Sequence, residues 1–456
     1  MNPTFLPQFR RRLRRLSLVI VALVSASTAS ADDLVQIYNL AVTNDPQIRQ
    51  ARATYNADHT VLTQGRSFLL PTVDLTGSTS RDTSGTADFF PNSQRPQHSF
   101  SNGFNSKRYN LNLRQALLNF QAWYAYKSAR FQDEAAETRL VQSEQALILK
   151  VATAYFNVLR SQENLATFRA EQDAANQVLD QTQQRFDVGL IPITDVYESQ
   201  SNADIAAVNT LVEENNLNQS LEALEAITGQ AHDDVAELRD DFPIVPIDPV
   251  DMNEWVNLAQ EGNLDIRLAE LDLARREEDA RAARAALFPT IDITAGYGWN
   301  ESANVFSFAP GAALENSSVA LNLTVPIFAG GLNSARKLQA YYTRDASEEA
   351  LLLSRRTNTQ STRNAYRSVE TDVQAVAAQA QAIVSAQSAL DATQVGAEVG
   401  TRNVVDVVLA QRTLFQAQRN HDNARFKYVT DILALKQAAG LLTPQDVMDL
   451  NEWLAE

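Results

Sequence analysis

Apolar and polar residues alternate over a few short segments of the chain. After Pro71, Val73 and Leu75 belong to one predicted face, and Asp74 and Thr76 belong to the other. A period of two residues is typical of a β-strand. The four predicted strands cover about residues 71–82, 107–118, 289–302 and 317–328. One apolar and one polar face suit a barrel wall between lipid and water, although a soluble β-sandwich shows the same pattern.

A very long helix is predicted after each pair of strands. Residues 121–188 contain neither proline nor glycine, and at 1.5 Å per residue they would span about 100 Å. Their apolar positions recur in steps of three and four, a heptad spacing that indicates supercoiling against neighbouring helices. The sequence Val188-Gly189-Leu190 interrupts this helix, and a shorter helix returns to Gly229. Each half of the chain is therefore predicted to contain a long helical hairpin.

Shorter helices are predicted before the first strand. One helix ends near Asn44, and Asp45-Pro46 then provides an N-cap and a first-turn proline for the next helix. This second helix runs to about Ser67, and Pro71 prevents its continuation because the residue before a proline avoids the helical conformation.

The sequence repeats its own pattern once. The motif at residues 71–76 recurs at 289–294, and the turn at 188–190 recurs at 399–401. We therefore predict a mainly α-helical chain with a β part, built from two structural repeats. The predicted divisions are a first repeat over residues 32–241, a proline-rich linker over 242–251, a second repeat over 252–444 and a short C-terminal helix or tail over 445–456.

Residues 1–31 are predicted to form a secretory signal peptide. A cluster of arginines precedes an apolar run from Leu16 to Val24, and Ala29-Ser30-Ala31 resembles a cleavage site. The apolar run is too short for a membrane anchor. The rest of the chain has no apolar run of about 18 residues, so we expect any membrane span to be a β-barrel.

Composition argues against several classes of function. The 456 residues include no cysteine, which rules out disulfides, thiolate metal sites and a cysteine-linked lipid anchor. Acidic residues outnumber basic ones by 55 to 39, and the net charge of −16 argues against nucleic-acid binding. The four histidines form no metal-binding pattern, and His232-Asp233-Asp234 is interpreted as a polar surface turn. Since no phosphate loop or nucleophile motif occurs, we predict no enzyme activity, no metal and no cofactor.

The hairpin turns carry motifs that resemble the TolC family of outer-membrane efflux and secretion channels. These motifs are residues 185–190 with 193–196, and residues 399–402 with 405–407. The resemblance extends over about residues 32–450, and the absence of cysteine separates the chain from lipid-anchored members. It implies a homotrimer, in which three chains contribute twelve strands to one outer-membrane β-barrel. An α-helical tunnel would continue this barrel across the periplasm.

Such a channel is implied to be the exit duct of a tripartite efflux pump or of a type I protein secretion system. It would lie in the outer membrane of a Gram-negative bacterium, in contact with lipid, and extend into the periplasm. Its implied partners are a periplasmic adaptor and an inner-membrane pump, which could be an ABC transporter or a proton-driven pump. The alternative is a soluble periplasmic coiled-coil adaptor or scaffold, which would explain the helices but not the four alternating strands.

The resemblance also implies roles for charged residues at the periplasmic end of the tunnel. Arg402 would bond Thr194 and Asp195 and latch the tunnel shut; the alternative is an ordinary surface salt bridge. Asp406 would contribute to a ring of three carboxylates, which would favour cations in the pore. The alternative for Asp406 is a solvated aspartate on a helix.

Two positions depart from the family's pattern. The chain has Ala397 where the family has a latch tyrosine, and Leu409 where it has a second aspartate ring. We therefore expect an easier opening, or a latch built from other residues, and a weaker block by cations. The hairpin tips would also receive the adaptor, or their glycines would simply permit the turn. The tip residues are Val188, Gly189, Leu190, Val399, Gly400 and Thr401.

Overall fold

The computed structural model describes residues 32–84, 102–239, 241–302 and 313–455. The predicted signal peptide at residues 1–31 lies outside this part of the chain. Within the described ranges, no helix is both long enough and apolar enough to cross a membrane.

The elements follow one another in the same order in both halves of the chain. In the first half these are α1 (Leu34–Asn44), α2 (Pro46–Ser67), β1 (Thr72–Ser84), β2 (Asn102–Leu118), α3 (Phe120–Asp187) and α4 (Ile193–Thr228). The second half contains α5 (Met252–Gly262), α6 (Leu264–Ala285), β3 (Thr290–Ser302), β4 (Ala313–Thr324), α7 (Leu332–Glu398) and α8 (Val404–Ala438), and α9 (Pro444–Asn451) ends the order.

Capping residues define the start of the second helix in each half. The carboxylate of Asp45 accepts hydrogen bonds from the backbone N–H groups of Gln47 (2.6 Å) and Ile48 (3.2 Å). The side chain of Asn263 does the same for the N–H groups two and three residues after it, at 2.9 and 3.2 Å. The backbones of Asp45 and Asn263 are themselves non-helical, so that one helix stops and the next begins at once. The predicted cap at Asp45 is confirmed.

The four strands form one antiparallel sheet in the order β1-β2-β3-β4. Across the sheet, Leu75 pairs with Leu111, and Leu111 pairs with Tyr297. Because alternate residues share a face, these side chains lie on the apolar face, where they are exposed. On the other face, the amide of Asn112 donates to a carboxylate oxygen of Asp74 at 3.0 Å. The sheet therefore leaves an apolar face uncovered in the single chain.

The ends of two strands differ from the prediction. β2 begins at Asn102 rather than near residue 107, because it pairs with β1 as far as Ser84. β4 ends at Thr324 rather than near residue 328, and Thr324 pairs with Thr290, the first residue of β3. The strand cannot continue in the same ladder, since Pro326 has no N–H group to donate.

Both halves contribute to the main hydrophobic core. Tyr155 and Phe156 of α3 are buried in it together with Phe426 and Tyr428 of α8. The connecting segment at residues 242–251 also packs there, and Ile247 within it is buried. The proline-rich segment thus lies against the core that the two repeats share.

Candidate functional site at the hairpin tips

Two glycines allow the long helices to reverse direction. Gly189 follows α3 with φ of 75°, and Gly400 follows α7 with φ of 80°. A left-handed backbone is costly for residues with a Cβ atom, which explains glycine at both positions. The N–H of Leu190 then donates to the carbonyl of Arg185 at 2.9 Å, and the N–H of Thr401 donates to the carbonyl of Gly396 at 2.9 Å. These bonds satisfy carbonyl groups that the helix ends would leave unpaired.

The tips present apolar side chains to the surroundings. In the single chain Val188 is 70% exposed, Leu190 is 70% exposed and Val399 is 69% exposed. Each lies beside one of the two turn glycines. A cluster of uncovered apolar groups at the end of a hairpin is a surface that another protein can contact.

The charged residues near the tips form two separate groups. The Nη1 atom of Arg402 lies 3.9 Å from Oδ2 of Asp406, one helical turn further along the chain. The hydroxyl of Thr194 donates to the carboxylate of Asp195 at 3.3 Å. Among the described residues of this single chain, no hydrogen bond or ion pair joins Arg402 to either of these two residues. All four residues lie near the hairpin tips, and the two groups are not bonded to each other in the single chain.

Asp406 has a structural role that the sequence reasoning missed. Its Oδ2 atom accepts from the backbone N–H of Asn403 at 3.3 Å, while Asn403 Oδ1 accepts from the backbone N–H of Asp406 at 2.8 Å. This reciprocal pair is a capping box that starts α8. The signal was present in the sequence as a capping residue followed three positions later by an acid. Oδ1 of Asp406 is not used in this box.

The two positions that depart from the family pattern, Ala397 and Leu409, lie on either side of Arg402 and Asp406 in the sequence. The carbonyl of Ala397 accepts from the N–H of Gly400 at 3.3 Å, so its backbone closes the turn. Leu409 lies three residues after Asp406 on α8 and is exposed. At these two positions, this chain therefore carries a methyl and an isobutyl group rather than polar groups.

The prediction of a polar surface turn agrees with Asp233 and Asp234, which are exposed, but is wrong for His232, which is buried. Its side chain is 2% exposed, and Nδ1 lies 2.6 Å from a carboxylate oxygen of Asp32. On the other side of the ring, Nε2 lies 2.7 Å from the hydroxyl of Thr228. The turn after Gly229 folds back onto the start of the described chain, a long-range contact that no local sequence pattern announces. In the part of the chain that the structure describes, no cluster of side chains has the composition of a metal site.

Comparison with known proteins agrees with this architecture. Residues 37–230 and 255–441 match the model of the family described as outer membrane efflux protein. The outer membrane protein TolC of Vibrio cholerae is 34% identical over 430 residues, which cover 94% of this chain and 95% of that protein. The alkaline protease secretion protein AprF of Pseudomonas aeruginosa is 25% identical over 441 residues, covering 96% of this chain and 90% of that protein.

The fold also matches solved structures. The crystal structure of the Campylobacter jejuni CmeC outer membrane channel is similar with a TM-score of 0.75 and 18% sequence identity. The match covers 92% of this chain and 90% of that chain. At this identity the likeness establishes the fold alone.

Proposed function

The chain belongs to the outer membrane efflux protein family, and from this premise we propose that its hairpin tips form the gate of a trimeric duct. The family consists of channel proteins, and this protein is an outer-membrane exit duct for efflux and type I secretion. It resides in the outer membrane of a Gram-negative bacterium and extends into the periplasm. The alternative of a soluble periplasmic scaffold is therefore wrong.

The uncovered sheet supports the assembly. The four strands in the described ranges are too few to close a barrel, whereas three copies would supply twelve. The apolar face with Leu75 and Leu111 would then contact lipid, and the face with Asp74 and Asn112 would line a water-filled interior. The observation that carries the proposal is this amphipathic sheet, which leads directly into α3 and α7.

The gate is a contact between copies. Arg402 does not reach Thr194 or Asp195 within one chain, and its side chain is mostly exposed. In a trimer, Arg402 of one copy would bond Thr194 and Asp195 of the next copy. An exposed ion pair contributes about 0 to 1 kcal/mol. Three such pairs would hold the tips closed and still allow an external force to open them.

Asp406 would add selectivity to this gate. Its Oδ2 atom is committed to the capping box, while Oδ1 remains for cations in the pore. Three copies around one axis would form a carboxylate ring, which favours cations over anions. Leu409 contributes no second ring, so the block by a trivalent cation should be weaker than with two rings.

The exposed tips would receive the periplasmic adaptor. Val188, Leu190 and Val399 are large apolar groups without cover in the single chain, and apolar contacts can bury them against a partner. The adaptor would connect the duct to an inner-membrane pump, either an ABC transporter or a proton-driven pump. The chain itself then needs no energy source.

Single-channel conductance in a planar lipid bilayer tests the gate and the ring. Arg402→Ala should raise the conductance, because it removes the latch in all three copies. Asp406→Asn should weaken block by a trivalent cation, while its amide oxygen can still accept from Asn403. Asn403→Ala is the matched control, since it removes the cap and keeps the carboxylate. A conductance unchanged in Arg402→Ala contradicts the latch, and equal cation block in natural protein and Asp406→Asn contradicts the ring.

A further inference from the structure

A buried ion pair joins the two hairpins far above their tips. The first hairpin consists of α4 and the part of α3 beside it, and the second consists of α7 and α8. Nη1 of Arg419 on α8 lies 2.7 Å from Oε2 of Glu171 on α3. Both side chains are nine-tenths buried, at 9% and 8% exposure. The guanidinium carbon of Arg419 also lies 4.1 Å from the ring centroid of Phe168 on α3.

Below this pair, each hairpin is held together by its own contacts. Ala175 of α3 packs with Ala203 and Ala206 of α4 in the first hairpin. Leu390 of α7 packs with Leu414 of α8 in the second hairpin. In the described ranges, these two apolar clusters have no member in the opposite hairpin.

Above the pair, the hairpins share one core. Phe156 of α3 and Phe426 of α8 are buried, and their ring centroids are 6.3 Å apart. The bond between Arg419 and Glu171 is the one nearest to the tips that joins the hairpins through side chains in the described part of the chain. It therefore marks the boundary between a region with a shared core and a region with separate cores.

We propose that the Arg419–Glu171 pair is the pivot about which the second hairpin moves relative to the first when the duct opens. This inference rests on the proposed gate at the tips. Glu171 lies 16 residues before the end of α3 at Asp187, which corresponds to about 24 Å of helix. The movable segment is the part below the pair, and a rotation of about 10° there would displace the tips by about 4 Å.

The chemistry of the Arg419–Glu171 pair suits a place where α3 and α8 do not slide past one another. Apolar helix surfaces can slide past one another, whereas a charge-assisted hydrogen bond has a required direction and length. Sliding at this level would leave a carboxylate and a guanidinium buried without partners, which is strongly unfavourable. The ring of Phe168 further restrains the guanidinium by cation–π contact. Motion is therefore confined to the segments that have no such bond.

Distance measurements between spin labels test the pivot in the full trimer. Because the chain contains no cysteine, one introduced cysteine per chain places three labels around the threefold axis. The labelled positions are Val399 at the tip, Leu409 between tip and pivot, and Asn420 beside the pivot, all exposed in the single chain. Exposed ion pairs of about 0 to 1 kcal/mol let the latch of the natural protein open and close. The distribution of distances should therefore be broader at Val399 and Leu409 than at Asn420.

The test variant replaces both charged side chains by unbranched apolar ones, Glu171→Met with Arg419→Met. It leaves no buried charge, and the distribution at Asn420 should broaden to the width found at Leu409. The matched control is Arg169→Met with Glu214→Met, which removes an ion pair of 2.9 Å that lies within the first hairpin and is exposed. This control should leave Asn420 unchanged.

Two results would overturn the pivot. One is a distribution at Asn420 that is the same in the natural protein and the double Met variant. The other is equal broadening in the control, since a general loss of stability would then explain the effect. The latch is judged separately by Arg402→Ala, which should lengthen the distances between labels at Val399. If the distances at Val399 do not change in Arg402→Ala, while the distribution at Leu409 remains broader than that at Asn420, the latch is wrong and the pivot stands.

Discussion

The N-cap at Asp45 allows a quantitative prediction, because the second repeat has an equivalent N-cap at Asn263. The Asp45 side chain is fully buried, accepts two backbone N–H bonds, and receives a hydrogen bond from Nζ of Lys150 at 2.7 Å. Burial alone would raise the pKa of Asp45, but the bond from Lys150 and the N–H bonds of Gln47 and Ile48 outweigh it and lower this pKa. Both the cap and the ion pair are lost in Asp45→Ala.

The expected effect is the sum of these two contributions. Removal of an N-cap costs about 1 to 2 kcal/mol. The ion pair adds about 1 kcal/mol, at the low end because Lys150 is 35% exposed and keeps a bond to Gln47. A total of about 2 to 3 kcal/mol corresponds to roughly 30- to 150-fold faster amide exchange in the first turn of α2. Asp45→Asn keeps the cap and loses the charge, so about fivefold faster exchange is expected.

Hydrogen–deuterium exchange of the peptide that contains Gln47 and Ile48 measures this effect. Asn263 has the same capping role in α6 without an ion pair, and its Nδ2 also donates to the carbonyl of Ala438 at 2.9 Å. Asn263→Ala removes the cap and this bond, and it should likewise accelerate exchange in the first turn of α6. Equal exchange in Asp45→Ala and the natural protein would refute the reasoning, as would equal effects of Asp45→Ala and Asp45→Asn.

The pH dependence has a definite sign. A carboxyl whose pKa is lowered on folding stabilises the folded state above its unfolded pKa, which is about 3.9 for aspartate. The advantage of the natural protein over Asp45→Asn should be complete above that pH. It should disappear as the pH falls through the lowered pKa of folded Asp45.

Two other substitutions test packing and charge. In Gly440→Ala, with φ of 73°, the new Cβ would lie 2.1 Å from the carbonyl oxygen of Gly262, whereas Gly400→Ala meets nothing within 4 Å. Both substitutions lose about 1 kcal/mol of stability, because alanine disfavours the left-handed conformation. The clash should make Gly440→Ala less stable than Gly400→Ala by at least about 2 kcal/mol. Thermal unfolding followed by circular dichroism measures this difference. Nζ of Lys427 lies 2.8 Å from the buried carboxylate of Asp372, and burial still holds the pKa of Asp372 above its ordinary value. Lys427→Met should raise this pKa further, so its loss of stability in urea titrations should grow as the pH rises through that pKa, the same direction as the loss in Asp45→Asn.

Several features of the fold could be predicted from the sequence because their causes are local. The length of α3 follows from an uninterrupted run without proline or glycine, and the cap at Asp45 follows from two adjacent residues. Alternation predicted four strands, and the apolar face that it predicted is exposed in the structure. Leu147 and Val158 follow the three- and four-residue spacing of apolar positions in α3, and both are buried in the core.

The functional contacts depend on residues far apart in the chain, and only the tertiary structure decided them. Glu171 and Arg419 are separated by 248 positions, and neither belongs to the apolar spacing that defines the helices. His232 is buried because the chain returns to Asp32, 200 positions away. The sequence by itself determined the two repeats, the long helical hairpins and the amphipathic strands, because each depends on the covalent neighbours of a residue. The tertiary structure decided which charges meet and where the two hairpins separate, because those contacts depend on how the long helices pack side by side.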